Sequence, residues 1–543
     1  MASAPRPATA VATLLWPALL EEPLAEIAAK LATTTEPSPE ASGCTGTMPP
    51  AQACDAALIK THLGALTGRL MCPSGWTAGE RRAGAEPLWT GRTRPYDEST
   101  LRKAARNLAR RGGVDVIAGA LEAQVHNAVA TSGSKAMAYT DMYDQVFWTK
   151  AQAHAAPIGS LGNRLLAATY YGMTFIRPDK GPVLGYHISW HKPASPLQDA
   201  LQVLYNEPRR SQWLSAKIQH HIWDRGGSGV PTLRWAASRR IPYLTVSKGS
   251  TRWTRYRRQP RVRTSSNVPV FVRKDRNVAR GNRVRRRVGQ RSAKGSTPEE
   301  VIFPAHPRKG TASTKALRYR TGRPLNKTRL RTLDDVYKSR WPCNENPIKA
   351  LVAVGFDRNL DRGLTKTTSR GTDGALARLE ASEKALAAEV AAFEPTTLPQ
   401  TMKAVRGFFR KQSKHEKERA RIAKIPQDKG ARMPTGAEWL CKNLMLLMYN
   451  TLALLLMRSP LKEVQTMTLL RVYELLLGRS MLVCLDDHRM TLWVDPVPST
   501  SERLLQHELV RLFNEQPLAV RGQRLHLRVR DPTAKTLQLR VSR

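Results

Sequence analysis

The chain has 543 residues and carries 87 lysines and arginines against 44 aspartates and glutamates, a net charge of +43 at pH 7. This length allows three or four domains and a large buried core. The charge favours a polyanionic partner, with nucleic acid ahead of an acidic membrane or ribosomal RNA, and its uneven spread argues against a merely soluble basic protein.

The cysteines are scattered, and no two have a CxxC spacing: Cys44, Cys54, Cys72, Cys343, Cys441 and Cys484. This usage argues against a zinc ribbon and fits a reducing compartment. The apolar run at 7–20 is short and no convincing cleavage site follows it, so we expect no secretory signal.

Residues 1–95 are rich in Ala, Pro, Thr and Gly, and we expect a mostly disordered N-terminal extension with one helix near 24–31. In residues 96–130, Ser99 or Thr100 caps a predicted helix, and a Gly-containing turn leads to a second helix at 114–125. This pattern predicts a small helical DNA-binding unit.

Residues 131–250 predict the order β-β-β-α-β-α-β. The predicted strands are 136–143, 165–176, 183–190, 218–223 and 241–246. The helices begin at a capping pattern after Ser195 and at Pro231. This is the order of an RNase H-like fold, so the expected class is α/β with a mixed five-stranded sheet. Asp141 lies on the first strand, and Asp224 ends the fourth, which should be its neighbour.

Residues 251–331 hold 25 lysines and arginines against three acids. With runs such as 268–272, they predict a basic β-rich insertion with flexible patches around 283–294. Residues 332–365 complete the catalytic domain with a helix that begins near Leu333 and carries Glu345. Pro342 and Pro347 should break or kink this helix.

Residues 366–430 predict a charged helical hairpin with helices at 375–393 and 401–422, and residues 431–543 predict additional helices and a small α+β unit. The apolar run 439–457 approaches membrane-spanning length. Because it contains Lys442 and Asn443, we interpret it as a buried core helix and expect no membrane association.

Three carboxylates are the candidate catalytic residues: Asp141, Asp224 and Glu345. Magnesium prefers oxygen ligands and takes only one or two carboxylates, and a pair of ions on three carboxylates clamps the attacking and leaving oxygens of a phosphodiester displacement. The spacings are 83 and 121 residues, and an insertion at 251–331 explains the longer one.

Several residues near these carboxylates have alternative readings. Asp144 could replace Asp141. Arg340 lies five residues before Glu345, and a kink would aim it at the same phosphate. Lys349 lies four residues after Glu345, and the plain interpretation of that spacing is a solvated ion pair of ~0.3–0.5 kcal/mol.

The histidine pairs have structural explanations. His187 and His191 have the spacing of a helical metal site but lie on a predicted strand, so we interpret them as structural or DNA-facing. His220-His221 point to opposite faces of a strand and cannot share one ion. Asp334-Asp335 are interpreted as charges at a helix N-terminus.

A resemblance to a known family rests on four groups of residues. They are Tyr139-Thr140-Asp141; Leu161-Gly162-Asn163-Arg164; Asp224-Arg225-Gly226 with Ile241-Pro242-Tyr243-Leu244; and Tyr337, Arg340 and Trp341 with Glu345. Over residues 96–360 the chain resembles DDE transposases of bacterial insertion sequences, of the cut-and-paste type with a β-strand insertion and a Tyr-Arg-Glu-Lys signature. It departs from them in one extra residue between arginine and glutamate and an earlier lysine.

The resemblance implies two Mg²⁺ ions, with Mn²⁺ as a substitute, bound by Asp141, Asp224 and Glu345. It also implies cleavage at transposon ends followed by strand transfer. Further DNA contacts are expected from Tyr337, Arg340, Lys349, Arg225, Arg255, Arg257, Arg258, Arg285, Arg286 and Arg287. The expected partners are end and target DNA and a second copy in a synaptic complex, with no small-molecule substrate. The expected location is the cytoplasm, on the nucleoid.

Two other functions remain open. A transposase-derived DNA-binding protein without activity would show salt-sensitive binding and no metal-dependent cleavage. An RNA- or ribosome-associated basic protein would show no preference for an inverted-repeat end and would keep the three carboxylates apart.

Overall fold

A computed structural model describes the chain in segments. These are residues 10–33, 55–71, 86–133, 135–147, 159–160, 167–191, 197–247, 251–252, 262–263, 269–274, 299–304, 315–322, 327–357, 365–367, 370–395, 397–423, 430–432, 435–486 and 488–530.

Helices occupy the described residues before the first strand. They are α1 (Ala10–Leu19), α2 (Glu21–Thr33), α3 (Ala56–Leu70), α4 (Glu86–Thr90), α5 (Glu98–Arg110) and α6 (Gly113–Thr131). The last two match the helices predicted in residues 96–130, but α5 begins at Glu98 after Asp97, so the predicted cap at Ser99 or Thr100 is wrong.

The predicted disorder of residues 1–95 is wrong for 10–20, 55–71 and 86–95, whereas the helix predicted near 24–31 is present as α2. Their apolar side chains, such as Trp16, are buried in one core with Leu476 of the C-terminal region. Because the packing partners are so distant in sequence, local composition does not reveal them. The other residues of 1–95 lie outside the described segments.

The next elements contain the predicted strands and helices. In order they are β1 (Ala136–Phe147), β2 (Gly159–Ser160), β3 (Ala167–Pro178), β4 (Leu184–His191), α7 (Leu197–Asn206), α8 (Pro208–Lys217), β5 (Ile218–Trp223), α9 (Val230–Ser238) and β6 (Tyr243–Val246). A 3₁₀ turn at Arg225–Gly227 follows β5. The five strands predicted from alternation correspond to β1, β3, β4, β5 and β6.

These strands form a mixed sheet with the order β4-β3-β1-β5-β6. Strand β3 is antiparallel to both β1 and β4, whereas β5 is parallel to both β1 and β6. The predicted mixed α/β class is therefore confirmed, but the predicted count of five strands is wrong, because the sheet contains 11 described strands. The parallel pairing of β1 with β5 places Trp223, at the end of β5, beside Thr140, and β1 continues past this point to Phe147.

The basic segment 251–331 extends the same sheet. Its described strands are β7 (Thr251–Arg252), β8 (Val262–Arg263), β9 (Pro269–Lys274), β10 (Glu299–Pro304) and β11 (Lys315–Thr321). Strand β11 pairs antiparallel with β6, and β10, β9 and β8 follow in order. The predicted strands are thus present, and the patches around 283–294 lie outside the described segments.

A helix interrupted by a π turn then packs on the sheet. It consists of α10 (Lys327–Lys338), a π turn at Trp341–Glu345 and α11 (Asn346–Ala353). Proline has no backbone N–H to donate, and Pro342 lies inside the π turn. There the N–H of Asn346 bonds to the carbonyl of Trp341, five residues earlier. A π turn therefore replaces the predicted kink.

The predicted charged hairpin is an antiparallel helix pair. The two helices are α12 (Arg370–Ala391) and α13 (Leu398–Ala423). Two short strands flank them, β12 (Thr365–Thr367) before α12 and β13 (Gly430–Arg432) after α13. The antiparallel pairing of β12 with β13 closes its base. Near the connection, the rings of Phe393 and Phe408 make an edge contact at 5.5 Å.

The C-terminal region packs against the N-terminal helices. It contains α14 (Thr435–Leu456), α15 (Lys462–Gln465), α16 (Leu469–Val472), a π turn (Tyr473–Leu477), β14 (Met481–Leu485), β15 (Arg489–Val494), α17 (Thr500–Asn514), β16 (Ala519–Val520) and β17 (Gln523–Val529). Its four strands form a second sheet with the order β14-β15-β17-β16. This matches the predicted helical and α+β character.

Helix α14 is a core helix. Residues 436–456 are long and apolar enough to cross a membrane, yet 72% of that window is buried inside the protein. Glu438 and Lys442 form a fully buried ion pair at 3.2 Å, and the Lys442 ammonium lies 4.6 Å from the centre of the Phe356 ring. The interpretation of 439–457 as a buried helix is confirmed.

Both faces of the main sheet are covered. On one face Tyr171 and Phe175 pack with α14, and on the other Ala138 and Ile176 pack with α7. A third contact covers the sheet around Tyr139, where α10 and the π turn pack on it. This last contact positions the candidate site.

Candidate active site

Two of the predicted carboxylates lie side by side on neighbouring strands. The parallel register of β1 and β5 pairs Thr140 with Trp223, so Asp141 and Asp224 follow at adjacent positions. Side chains alternate between the faces of a strand. Asp141 therefore shares a face with Tyr139, and Asp224 shares it with Ile222, under α10.

The π turn carries the third carboxylate to the same place. The Tyr139 hydroxyl and Ser339 Oγ are 2.9 Å apart, and Arg177 Nη1 donates to Cys343 Sγ at 3.7 Å. Leu333 and Cys343 are buried against the sheet. These contacts fix the helix across β1 and direct Glu345 toward Asp141.

One guanidinium joins all three carboxylates. Arg340 Nη1 lies 2.7 Å from Asp141 Oδ2, and Arg340 Nη2 lies 2.6 Å from Glu345 Oε1 and 3.7 Å from Asp224 Oδ1. The Arg340 side chain is only 13% exposed. Residues separated by 83 and 121 positions thus converge on one guanidinium, whereas the sequence analysis expected them to share metal ions and expected Arg340 to contact a phosphate.

The electrostatics of the site reflect crowded negative charge. Burial raises the pKa of the Asp141 carboxyl to about 6; Arg340 opposes this rise, whereas Asp224 and Glu345 reinforce it. Burial also raises the pKa of the Tyr337 phenol to about 12, so this hydroxyl stays protonated beside Arg340. The site needs positive charge to balance its three acids.

A buried hydrogen-bond network supports the strand that carries Asp141. His221 Nε2 lies 2.7 Å from Thr140 Oγ1, and His221 Nδ1 lies 2.8 Å from the Tyr205 hydroxyl. Thr140 Oγ1 also lies 2.7 Å from Thr174 Oγ1. Burial lowers the pKa of His221 to about 3, so the ring is neutral. Sequence reasoning missed this network; its only signal was the adjacent pair His220-His221 in a predicted strand.

The donor set suits a hard divalent cation. Carboxylate oxygens are the ligands that Mg²⁺ and Mn²⁺ prefer, and Asp141, Asp224 and Glu345 present them around one point. Among the described residues, however, no three Asp, Glu, His or Cys side chains are arranged to hold an ion as they stand. The Arg340 guanidinium lies between these carboxylates, so metal binding requires it to move away.

The other predicted DNA contacts are distributed around the site. Tyr337 and Arg340 lie within it. Arg225 is exposed on the 3₁₀ turn directly after Asp224. The ammonium of Lys349 lies 4.7 Å from the centre of the Trp341 indole ring. Within the described residues 327–357, Lys349 makes no ion pair with Glu345. Six of the arginines lie outside the described segments: Arg255, Arg257, Arg258, Arg285, Arg286 and Arg287.

The structure decides between several alternatives. Asp144 is exposed and lies three strand positions after Asp141, on the opposite face, so it is not part of the carboxylate cluster. His187 and His191 are both buried. Their structural reading therefore fits, and their DNA-facing reading is wrong. His191 Nε2 lies 2.7 Å from Ser189 Oγ.

The interpretation of Asp334-Asp335 is wrong because α10 begins earlier, at Lys327. Asp334 is instead in the third turn, where it accepts a 2.5 Å hydrogen bond from the Tyr319 hydroxyl and pairs with Lys338. The aspartate thereby ties α10 to the strand β11.

Comparison of the sequence with models of protein families and with curated proteins finds no match. The function of the site must therefore be argued from the residues and their geometry.

Proposed function

We propose that this protein is a DDE transposase with an RNase H-like catalytic domain, which cleaves DNA at transposon ends and transfers the strands. One observation carries the proposal: Asp141, Asp224 and Glu345, far apart in sequence, all contact the guanidinium of Arg340. The strand order β4-β3-β1-β5-β6, with β3 antiparallel and β5 parallel to β1, supports it.

The carboxylates would hold two Mg²⁺ or Mn²⁺ ions, which supply Lewis-acid stabilisation to the attacking and leaving oxygens of a phosphodiester. The arrangement of the chain's own residues fits this role. One carboxylate oxygen of Asp141 accepts a hydrogen bond from the N–H of Met142 at 2.9 Å, which fixes the rotation of the Asp141 side chain. Glu345 is fixed by the π turn and Asp224 by the end of β5.

Arg340 would release the carboxylates and bind a DNA phosphate in their place. A guanidinium binds carboxylates and phosphates in the same forked geometry, so a DNA phosphate is a suitable alternative partner. The Tyr337 phenol beside it is a protonated donor for the same phosphate. The positive charge of residues 251–331 would attract the duplex to the protein. The proposed location is accordingly the nucleoid, and the proposed assembly is a dimer on two DNA ends.

Cleavage of DNA that flanks the coding sequence tests the proposal. A supercoiled plasmid with the flanks from both sides is incubated with the protein and Mg²⁺. We expect strand cleavage that EDTA abolishes. The isosteric variants Asp224→Asn and Glu345→Gln should each lose about 100-fold or more, because metal ions contribute several kcal/mol to such reactions. The matched control is Asp144→Asn, which should retain activity. Full activity in both site variants would refute the mechanism.

A non-catalytic DNA-binding protein derived from such an enzyme is the second candidate. The observation that favours it is the guanidinium between the carboxylates, where ions would have to bind. It predicts salt-sensitive DNA binding without cleavage by the unaltered protein in Mg²⁺ or Mn²⁺. The RNA-associated alternative expected separated carboxylates, which is not the arrangement found.

A further inference from the structure

We propose that one face of α13 is a binding surface for the phosphate backbone of duplex DNA. This face, the basic stripe, consists of Lys403, Arg406, Arg410, Lys414, Lys417 and Arg421. That the polyanion is DNA rests on the proposed function; the surface itself rests on separate observations.

The helix pair that carries the stripe is open to solvent. Among the described side chains of α12 and α13, only Leu379 and Ile422 are buried. The pairing of β12 with β13 closes its base. A long helix is therefore presented with most of its circumference accessible.

The stripe follows the helical period. Its members are separated by 3, 4, 4, 3 and 4 residues, which keeps them on one face of a helix with 3.6 residues per turn. At 1.5 Å per residue, the stripe extends ~27 Å along the helix axis. All six side chains are exposed. Duplex DNA has one phosphate per ~1.7 Å of its axis, so such a row can reach several phosphates.

Charges on α13 are sorted by face. The cations that face α12 have acidic partners there: Lys411 pairs with Glu389 at 2.6 Å, and Arg419 pairs with Glu383. Within the stripe, Arg421 pairs with Glu418, and Lys414 also interacts electrostatically with this carboxylate.

Four stripe residues have no acidic partner in the described part of the chain: Lys403, Arg406, Arg410 and Lys417. An ordinary solvated helix intersperses its charges as i,i+4 pairs. A row of unpaired cations instead leaves positive potential for an external polyanion.

The layout favours nucleic acid over a membrane surface. Exposed apolar residues, among them Met402 and Phe409, are confined to the first half of α13. The basic stripe continues for three further turns, to Arg421, with no exposed large apolar side chain beside it. A membrane-surface helix needs an apolar face along its length, whereas phosphate binding needs only cations at helical spacing. Such contacts hold a duplex without reading its sequence.

The test is the salt dependence of duplex binding by the full chain, measured by fluorescence anisotropy in EDTA. The variant Lys403→Gln/Arg410→Gln/Lys417→Gln removes three unpaired stripe charges. The control Arg378→Gln/Lys384→Gln/Lys462→Gln removes three exposed charges elsewhere, and circular dichroism verifies that both variants fold. We expect the slope of log K against log [salt] to fall in magnitude by ~2–3 in the stripe variant, at ~0.9 per lost contact. Arg410→Gln alone should lower it by ~0.9.

An unchanged slope in the stripe variant, or an equal change in the control, would overturn the proposal. So would stripe-dependent binding to vesicles of phosphatidylserine with no effect on DNA. Failure of the catalytic proposal can be distinguished from failure of the stripe proposal. If the stripe is wrong but the enzyme is right, cleavage depends on Glu345 while the slope is insensitive to the stripe. If the enzyme is wrong but the stripe is right, the slope changes and no cleavage occurs.

Discussion

The side chains of Arg340 and Glu345 are hydrogen bonded at 2.6 Å although five residues separate them. On a regular α-helix this spacing turns the two side chains well apart. The π turn at Trp341–Glu345 lengthens the backbone repeat to i→i+5, which aligns them. The unusual spacing in the sequence is therefore matched by an unusual backbone, and the cost of that backbone fits a functional site.

Replacing Arg340 should make stability depend on divalent ions. In Arg340→Gln three carboxylates face one another without a cation, and we expect a loss of ~1–3 kcal/mol in EDTA. Millimolar Mg²⁺ should restore this loss, because the ion takes the position of the guanidinium. Urea unfolding with and without Mg²⁺ measures both effects. Arg225→Gln, exposed beside Asp224, is the control and should respond to neither. Equal destabilisation with and without Mg²⁺ would show that no ion replaces Arg340.

Asp141 should give stability an unusual dependence on pH. Its folded pKa of about 6 lies above the ordinary value of 3.8, so between these values the folded protein binds the proton more tightly than the unfolded chain does. Ionising Asp141 therefore costs stability above pH ~6, and this cost disappears as the pH falls to ~4, by at most ~3 kcal/mol. In EDTA, Asp141→Asn should lose this component. A stability difference between wild type and variant that is flat from pH 4 to 7 would contradict the assignment.

The buried ion pair of the N-terminal region should be costly to break. Arg69 donates to Glu86 at 2.6 Å and to the carbonyl of Tyr96 at 2.6 Å, and Arg69 and Glu86 are at most 4% exposed. Arg69→Met should lower the free energy of unfolding by about 3–5 kcal/mol, because the buried Glu86 carboxylate loses its cation and keeps, among the described residues, only the hydrogen bond from the N–H of Tyr96.

The double variant Arg69→Met/Glu86→Gln should recover part of that loss. Thermal unfolding of the three proteins gives the coupling between the two residues. Additive losses would mean that the two side chains act independently and that the N-terminal helices are not closed by this pair.

The network behind Asp141 should depend mainly on its histidine. His221→Phe removes the ring nitrogens that lie against Thr140 Oγ1 and the Tyr205 hydroxyl inside the sheet, and we expect a loss of about 2–4 kcal/mol. Tyr205→Phe removes only one hydroxyl and should cost about 1 kcal/mol. Denaturant unfolding distinguishes these values. Similar losses in both variants would place the energy in the packing of the rings instead.

The strands of the sheet and the positions of two of the carboxylates could be predicted from local sequence patterns. Alternation in 183–190 and the short segment 218–223, bounded by Ile218 and Trp223, predicted strands, and Asp224 follows the second of these. The order of elements then brought Asp141 beside Asp224, because parallel strands joined by helices pair in a restricted set of ways.

The missed features depend on contacts distant in sequence. Helix α1 is stabilised by burial of Trp16 in a core shared with Leu476, which no window of the first 95 residues contains. The extension of the sheet through β11 depends on pairing with β6, which its own sequence does not specify. The π turn contains Pro342 and packs on the sheet through Cys343, and the sequence alone predicted only a break or a kink.

Anomalous diffraction from crystals of the protein grown with Mn²⁺ tests the central claim most directly. We predict anomalous peaks bonded to oxygens of Asp141, Asp224 and Glu345, with the Arg340 guanidinium turned away from all three. Crystals of Glu345→Gln under the same conditions should show a weakened peak or none. Crystals in which Arg340 still bridges the carboxylates and no Mn²⁺ lies among them, at concentrations that saturate DNA cleavage, would contradict the account.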